Sequence, residues 1–298
     1  MSESYYGRPI IKSPVWEPLD IAGYLFLGGL AGASSTLAAA AEFTGRPGLA
    51  RPSKLGAAIA VGASLVALVH DLGRPGRFFN MLRVLKPTSP MSVGSWLLAG
   101  YAPAAFAAAA SDLTGFAPAF GTAATAIAAL TGPAVASYTA VLIADTAVPA
   151  WHSAHRQLPF IFASSAASAA SGLALMAAPL KECGPARRLA VAAATIEIAT
   201  SRQMKARIGL PAEAYTQGNA GVLTKAAEAL TVAGAAAALL GRRSRVASAA
   251  GGVALVAGSA LTRFAIFEAG VASARDPKYT VIPQQERLQT RAVPKDPS

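Results

Sequence analysis

Val69-His70-Asp71-Leu72-Gly73-Arg74-Pro75-Gly76-Arg77-Phe78-Phe79 decides how this chain is read. Leu55 to Val69 carries no charge, and it ends abruptly in an imidazole, a carboxylate and two guanidinium groups. Gly73, Pro75 and Gly76 break the helix there. The following Phe78–Lys86 is a short amphipathic run of aromatic, apolar and basic residues, as suits a membrane interface. Titratable groups at the mouth of an apolar segment are costly unless paired or used, so function is sought there first.

The whole chain fits that reading. Of 298 residues, 53% are hydrophobic and 14% charged, with a mean hydropathy of +0.43. Soluble domains carry about 25% charged residues. Here the charges fall in short clusters between long uncharged runs, so the expected class is an all-α integral membrane protein. The net charge of +11 does not imply nucleic acid, because the basic residues lie between apolar spans rather than on one soluble face. Anionic headgroups of membrane lipid and an acidic partner surface explain them better. Cys183 is the single cysteine, too few thiolates for an iron–sulfur cluster or a disulfide within the chain. Residues 1–19 contain Glu3, Trp16, Glu17 and three prolines, unlike a signal peptide, so the first span is expected to stay as an uncleaved anchor.

About 20 apolar residues cross the hydrocarbon core. Eight stretches qualify, near 20–41, 54–70, 92–111, 119–144, 158–179, 187–203, 222–241 and 246–268, the second and sixth being short. Almost all are rich in Ala, Gly and Ser, which lets helices approach closely. Gly132-Pro133 is expected to kink the fourth. An even number of spans puts both termini on one side, called here the terminal side. Its loops are 71–91, 145–157 and 204–221; the opposite loops are 42–53, 112–118, 180–186 and 242–245. Lys and Arg number 15 on the terminal side, tails included, and nine opposite. Loops alone lean toward a cytoplasmic opposite face and the tails pull the other way, so both orientations stay open.

His70, Glu197, Lys225, Glu228, Arg263 and Glu268 interrupt the spans, and threading the chain puts all six in the terminal-side half. A charge at mid-bilayer costs about 2.5–3.5 kcal/mol on insertion scales. Two readings stand: ion pairs that fasten helices, or a polar pocket open to the terminal side in which Glu197, Glu228 and Arg263 transfer protons. The opposite half is read as nearly charge-free, apart from Glu42 at its edge. A bis-imidazole haem needs two facing histidines, yet only His70 belongs to a span; His152 and His155 read as loop residues.

The order of fragments resembles the NrfD family, which includes the membrane subunit of polysulfide reductase. The fragments are His70-Asp71-Leu72-Gly73-Arg74-Pro75 with Arg77-Phe78, Pro90 to Trp96, Tyr138-Thr139 with Pro149 and Trp151, Leu158-Pro159 with Ser164 to Gly172, and Asp276-Pro277-Lys278-Tyr279. The resemblance implies eight transmembrane helices in two four-helix bundles. Their boundaries here would be a tail (1–19), a first bundle with the quinone motif (20–150), a second bundle (151–270) and a tail (271–298). It also implies a multi-pass subunit of the cell membrane that binds quinone, menaquinone or ubiquinone, without haem or iron–sulfur of its own. An iron–sulfur subunit would dock on it and connect to a molybdopterin catalytic subunit. By position, His70, Asp71 and Tyr138 would lie near the quinone ring, with Arg74 beside them and Asp20 or Tyr24 as the polar residue of the first span. Arg77, Arg83 and Lys86 on the 71–91 loop are the expected docking residues.

The residues alone agree on one point. A chain with one cysteine and no internal haem must take electrons at one face and hand them to a diffusible carrier. Two other classes stay open: a secondary transporter or ion-translocating unit, and an anchor without a working site. A transporter is expected to break helices in corresponding halves, and Gly132-Pro133 has no counterpart in the second half.

Overall fold

The computed structural model describes residues 10–12, 14, 16–71, 76 and 80–292. Among the described residues the chain is helical, with no strand. The long helices are α1 (Pro18–Glu42), α2 (Pro47–Asp71), α3 (Pro90–Thr114) and α4 (Pro118–Ala144) in the first half. The second half holds the short α5 (Pro149–Ser153), then α6 (Leu158–Ala177), α7 (Gly184–Arg207), α8 (Gly218–Leu240), α9 (Arg245–Arg275) and the tail helix α10 (Lys278–Ala292). A 3₁₀ turn, Leu210–Tyr215, links α7 to α8.

Proline writes most of the starts. α1 to α5 each open on a proline, and α6 and α7 carry one at their second residue, where the missing N–H has no intrahelical partner to lose. Ser89 and Ser244 cap α3 and α9 by accepting from the amides of Ser92 and Ala247. The stop after α3 is Gly115, left-handed at φ 71°.

Seven of the described helices are long and apolar enough to cross a membrane: α1, α2, α3, α4, α6, α8 and α9. The sixth expected span, α7, is not among them. Arg187, Arg188, Glu197, Arg202, Lys205 and Arg207 lower its hydropathy even though its 24 residues give ample length. α2 begins at Pro47, seven residues before the expected start at 54, and so takes Arg51 and Lys54 into the helix. α4 runs unbroken through Pro133. The carbonyl of Ala129, which Pro133 cannot serve, accepts from the Thr36 hydroxyl at 3.4 Å.

Small residues set the packing. A Cβ on Gly32 of α1 would lie 2.3 Å from the Gly132 carbonyl of α4, and one on Gly172 of α6 would lie 2.5 Å from the Gly252 carbonyl of α9. Only glycine allows these backbones to touch. α1 is central, packing on α2, α4, α6 and α9. One buried apolar cluster extends from α1, α3 and α4 to α6, α9 and the 3₁₀ turn. Outward-facing Ile59, Val66, Leu130, Phe160 and Leu240 remain exposed, an apolar surface suited to lipid.

The halves are locked together at the terminal side by α5. Trp151 is fully buried, donates from Nε1 to the Ile266 carbonyl at 2.7 Å and stacks on Trp16. A Cβ on Gly270 would lie 1.9 Å from that indole. The Tyr215 hydroxyl donates to the Ala150 carbonyl at 3.0 Å, and the Ser273 hydroxyl accepts from the Ala150 amide at 3.2 Å.

Candidate functional site

Asp20 and Tyr24 are four residues apart on the first turns of α1, hence on one face. Antiparallel α2 brings its last residues, His70 and Asp71, to the same end, and α4 brings Tyr138. A cavity of about 170 Å³ opens among these helices and the start of α3. Tyr24, Tyr138, Asp71 and Ser95 give it polar points, and side chains such as Leu25, Leu68 and Leu98 give it apolar walls.

The two tyrosine hydroxyls hydrogen-bond each other directly. One O–H is spent inside the pair, which leaves a single hydroxyl proton to offer outward. The Tyr138 ring lies where a side chain on Gly94 would be, since a Cβ there would stand 2.2 Å from Cε2. The Tyr24 carbonyl accepts from the buried Ser64 hydroxyl at 3.3 Å, which ties α1 to α2 below the cavity.

His70 does not line the cavity. Its ring is 73% exposed and Nδ1 lies 2.7 Å from Asp20 Oδ2, so the two form a polar pair at the rim while Asp71 faces inward. Expected neighbours Asp20, Tyr24, His70, Asp71 and Tyr138 are therefore gathered at one end, in two layers. Arg74 and Arg77 lie outside the described residues. Arg83 and Lys86 are exposed on the loop before α3, whose shape is fixed by the Ser92 hydroxyl. That hydroxyl accepts from the Lys86 amide and donates to the Val84 carbonyl, each at 2.9 Å. Sequence reasoning missed Trp16, Met81 and Met91 as cavity walls. The signal for the α3 wall was present, because Pro90 to Trp96 includes Met91, Gly94 and Ser95.

With that geometry in place, the comparison with known families is decisive: a model described as "Polysulphide reductase, NrfD" matches residues 11–182. The chain belongs to the NrfD family. It is a multi-pass membrane protein, as its apolar helices and this family together indicate. The match takes in α1 to α6 and thus the whole cavity. No curated protein matches the chain.

A second polar site joins residues beyond the matched region, Glu197 and Arg263, to Ser168 and Phe162 within it. Glu197 of α7 is 4% exposed; Oε1 accepts from the Thr262 hydroxyl at 2.9 Å and Oε2 from that of Ser168 at 3.4 Å. Arg263, fully buried on α9, donates from Nη2 to the Phe162 carbonyl at 2.7 Å and lies over the Phe162 ring at 3.9 Å. Its Nε and Nη1 have no hydrogen-bond partner. Glu197 and Arg263 form no direct ion pair within 4 Å. Glu197 borders a cavity of about 30 Å³, whose lining includes Glu228 and Lys205. Those two form an ion pair of 2.6 Å. Lys225, read on one face with Glu228, is exposed, and Glu228 reaches across to α7 instead.

A third cluster corrects the reading of the opposite half as nearly charge-free. Lys54 is 7% exposed, with Nζ 2.9 Å from Glu42 Oε2 and 3.3 Å from Asp112 Oδ1. Arg51 stands 3.6 Å from the other Asp112 oxygen, and the Thr122 hydroxyl donates to Glu42 at 2.9 Å. Four helices meet in this cluster. It was missed because Lys54 was read as the first residue of its span and counted with the charges of the opposite face, whereas the early start of α2 turns it inward.

Proposed function

We propose that this NrfD-family protein is the quinone-reactive membrane subunit of a respiratory oxidoreductase complex in the cell membrane. The observation that carries this reading is the cavity in which Tyr24, Tyr138 and Asp71 converge between apolar walls. A flat ring with two carbonyl oxygens needs apolar contact on its faces and hydrogen-bond donors at its edges. The wall residues suit the first need, and the free proton of the tyrosine pair, with Asp71 when its carboxyl carries a proton, suits the second. Quinone, as menaquinone or ubiquinone, takes up or gives two electrons and two protons when bound. Tyr24 and Tyr138 hold one carbonyl oxygen by the hydroxyl proton the pair still offers. Asp71 exchanges a proton inside the cavity, and the Asp20–His70 pair passes it to water at the rim.

Electrons arrive from an iron–sulfur subunit, itself linked to a molybdopterin subunit, docked on the terminal face through Arg77, Arg83, Lys86 and the tails. Members of this family usually partner with other redox subunits. The exposed basic loop beside the cavity suits an acidic partner surface. In this arrangement α7 is the eighth span. Its charges sit at its ends except for Glu197, which Thr262 and Ser168 satisfy, so residues 20–150 and 151–270 each supply four spanning helices. Glu197, Glu228 and Arg263 form a proton-transfer group open to the terminal side.

Tyr138→Phe in the intact complex tests the site. Quinone-linked turnover is expected to fall about a hundredfold, the scale of a lost positioned proton donor, with normal assembly. Unchanged turnover would make Tyr138 a packing residue and remove the site.

A further inference from the structure

We infer that His152 and His155 bind one divalent late first-row metal ion such as Zn²⁺, and that the bound ion fastens the joint where the two halves meet. The site lies on the terminal side but outside the quinone cavity. It stands on its own geometry and does not rest on the quinone reading.

The two rings are wired alike. His152 Nδ1 lies 3.2 Å from the Ala144 carbonyl oxygen, and His155 Nδ1 lies 2.9 Å from the His152 carbonyl oxygen. A carbonyl oxygen only accepts, so each Nδ1 carries the hydrogen. In a neutral ring that leaves Nε2 as a bare acceptor. Metal-ligating histidines share this arrangement: one nitrogen donates to a carbonyl, which fixes the tautomer and makes the other nitrogen a better ligand. Closing the turn uses the two Nδ1 atoms alone, a task that asparagine would perform as well. It gives no use to two acceptors side by side.

The rings are also close enough to share an ion. Their centroids are 5.9 Å apart, with the planes 30° from parallel. Two imidazoles on one tetrahedral ion, each nitrogen about 2.0–2.1 Å from it, set their ring centres about 5 Å apart. Both side chains are exposed, so a small rotation closes the difference. Among the described residues no third His, Cys, Asp or Glu joins them, so water completes the coordination. There is room for it, because His152 and Ser153 border a cleft of about 600 Å³ between α5, the 3₁₀ turn and α10. Imidazole suits Zn²⁺, Ni²⁺ or Cu²⁺, whereas Mg²⁺ and Ca²⁺ take oxygen.

The ion would tie a particular joint. Ala144 ends α4, His152 belongs to α5, and His155 sits in the turn that leads into α6. His152 directly follows Trp151, whose indole is bonded to α9. A ligand that binds only the folded joint stabilises it in proportion to its occupancy. Held by two protein ligands, the ion exchanges with its surroundings, and the joint tightens only where such a metal is present.

The full-length protein in lipid nanodiscs tests this with the metal alone. One Zn²⁺ is expected to bind per chain and to raise the midpoint of thermal unfolding. Cu²⁺ is expected to give an electron paramagnetic resonance spectrum split by two nitrogens. His152→Asn and His155→Asn each keep a donor where Nδ1 stood, so the carbonyl bond survives, and each removes Nε2. Each should weaken Zn²⁺ binding at least about tenfold, because losing even an outer partner of a ligand costs about 10–100-fold. Each should also leave a one-nitrogen spectrum and abolish the thermal shift, with the midpoint in chelator unchanged. The absence of Zn²⁺ binding by the unsubstituted protein overturns the proposal, as does binding that either variant leaves unchanged. Binding lost in His70→Asn instead would put the ion at the rim of the quinone cavity and overturn it equally. Binding through both rings without a thermal shift would overturn the role at the joint.

Discussion

The two halves bury polar groups in opposite ways. At the terminal end of the first half, Tyr24, Tyr138 and Asp71 border about 170 Å³ of space, and their polar companions Asp20 and His70 stand at the rim. In the second half, Glu197 and Arg263 are buried among side chains, and the cavity that Glu197 borders holds only about 30 Å³. Space beside hydroxyls suits a ligand, because the donors are satisfied only when something enters. Charge without space suits a proton or a fixed field, since nothing larger fits. The family match ends at residue 182, before α7, so the half with room is the half the family describes.

That contrast depends on the halves being held in register, and α5 is where it breaks most severely. Gly270→Ala would drive a methyl group into the Trp151 indole, from 1.9 Å, with no flexible end to yield. We expect loss of assembled complex, read as absent protein in the membrane fraction. Normal yield and thermal stability would show that α5 is not the lock.

Within the first half, Asp71 and His70 were read together in the sequence and are separated by the structure. Asp71→Asn removes the titratable group facing the cavity and is expected to slow quinone-linked turnover about a hundredfold. His70→Ala removes one partner of an exposed pair and is expected to cost about threefold. Equal losses would place both residues at the same point of reaction and erase the two layers.

How much of this the sequence disclosed follows from what a linear pattern encodes. Apolar run length is local, and it located the seven apolar helices within a few residues at most ends. The sixth stretch was read as apolar enough to cross, and α7 is not; what its buried Glu197 costs depends on Thr262 and Ser168, residues far away in the chain. The gathering of Asp20, Tyr24, Asp71 and Tyr138 followed from the side of each span on which they fall. Which of His70 and Asp71 turns inward did not, since adjacent helical residues lie about 100° apart and the direction is set by packing. Lys54 was lost for a related reason: read as the first residue of its span, it was counted with the charges of the opposite face, whereas the helix that starts seven residues earlier turns it inward.

In the second half, Glu197→Gln keeps the acid's shape and its bond from Thr262 but removes the proton. As a relay residue it should assemble normally and lose about tenfold in turnover or in turnover-linked proton uptake. As a structural partner of Arg263 it should lower thermal stability and retain turnover per assembled complex. Normal stability, turnover and proton uptake together would dispose of both roles and leave the sealed half without a part in the reaction.

The smallest effect is expected outside both halves, where α10 is clipped to the turn between α7 and α8. Lys278 Nζ lies 2.9 Å from Glu213 Oε2 and 3.8 Å from Asp276 Oδ2, and 4.8 Å above the Tyr279 ring. The bond to Glu213 is the main reason its ammonium holds its proton to higher pH than an ordinary lysine. A raised pKa in the folded state means that the clip contributes fully below the ordinary lysine value, about 10.4. The contribution fades only as pH rises through the higher folded value. Docking of α10 should therefore be flat between neutral and mildly alkaline pH and loosen in strong alkali. Both partners are partly exposed, so solvent screens the pair. Lys278→Met should raise protease nicking or amide exchange of α10 about threefold, and do so equally at neutral and mildly alkaline pH. Turnover should stay unchanged, because neither cavity is touched. A large loss of turnover would instead place this clip on the partner's docking surface. The terminal face, rather than either half, would then be the region most sensitive to a single charge.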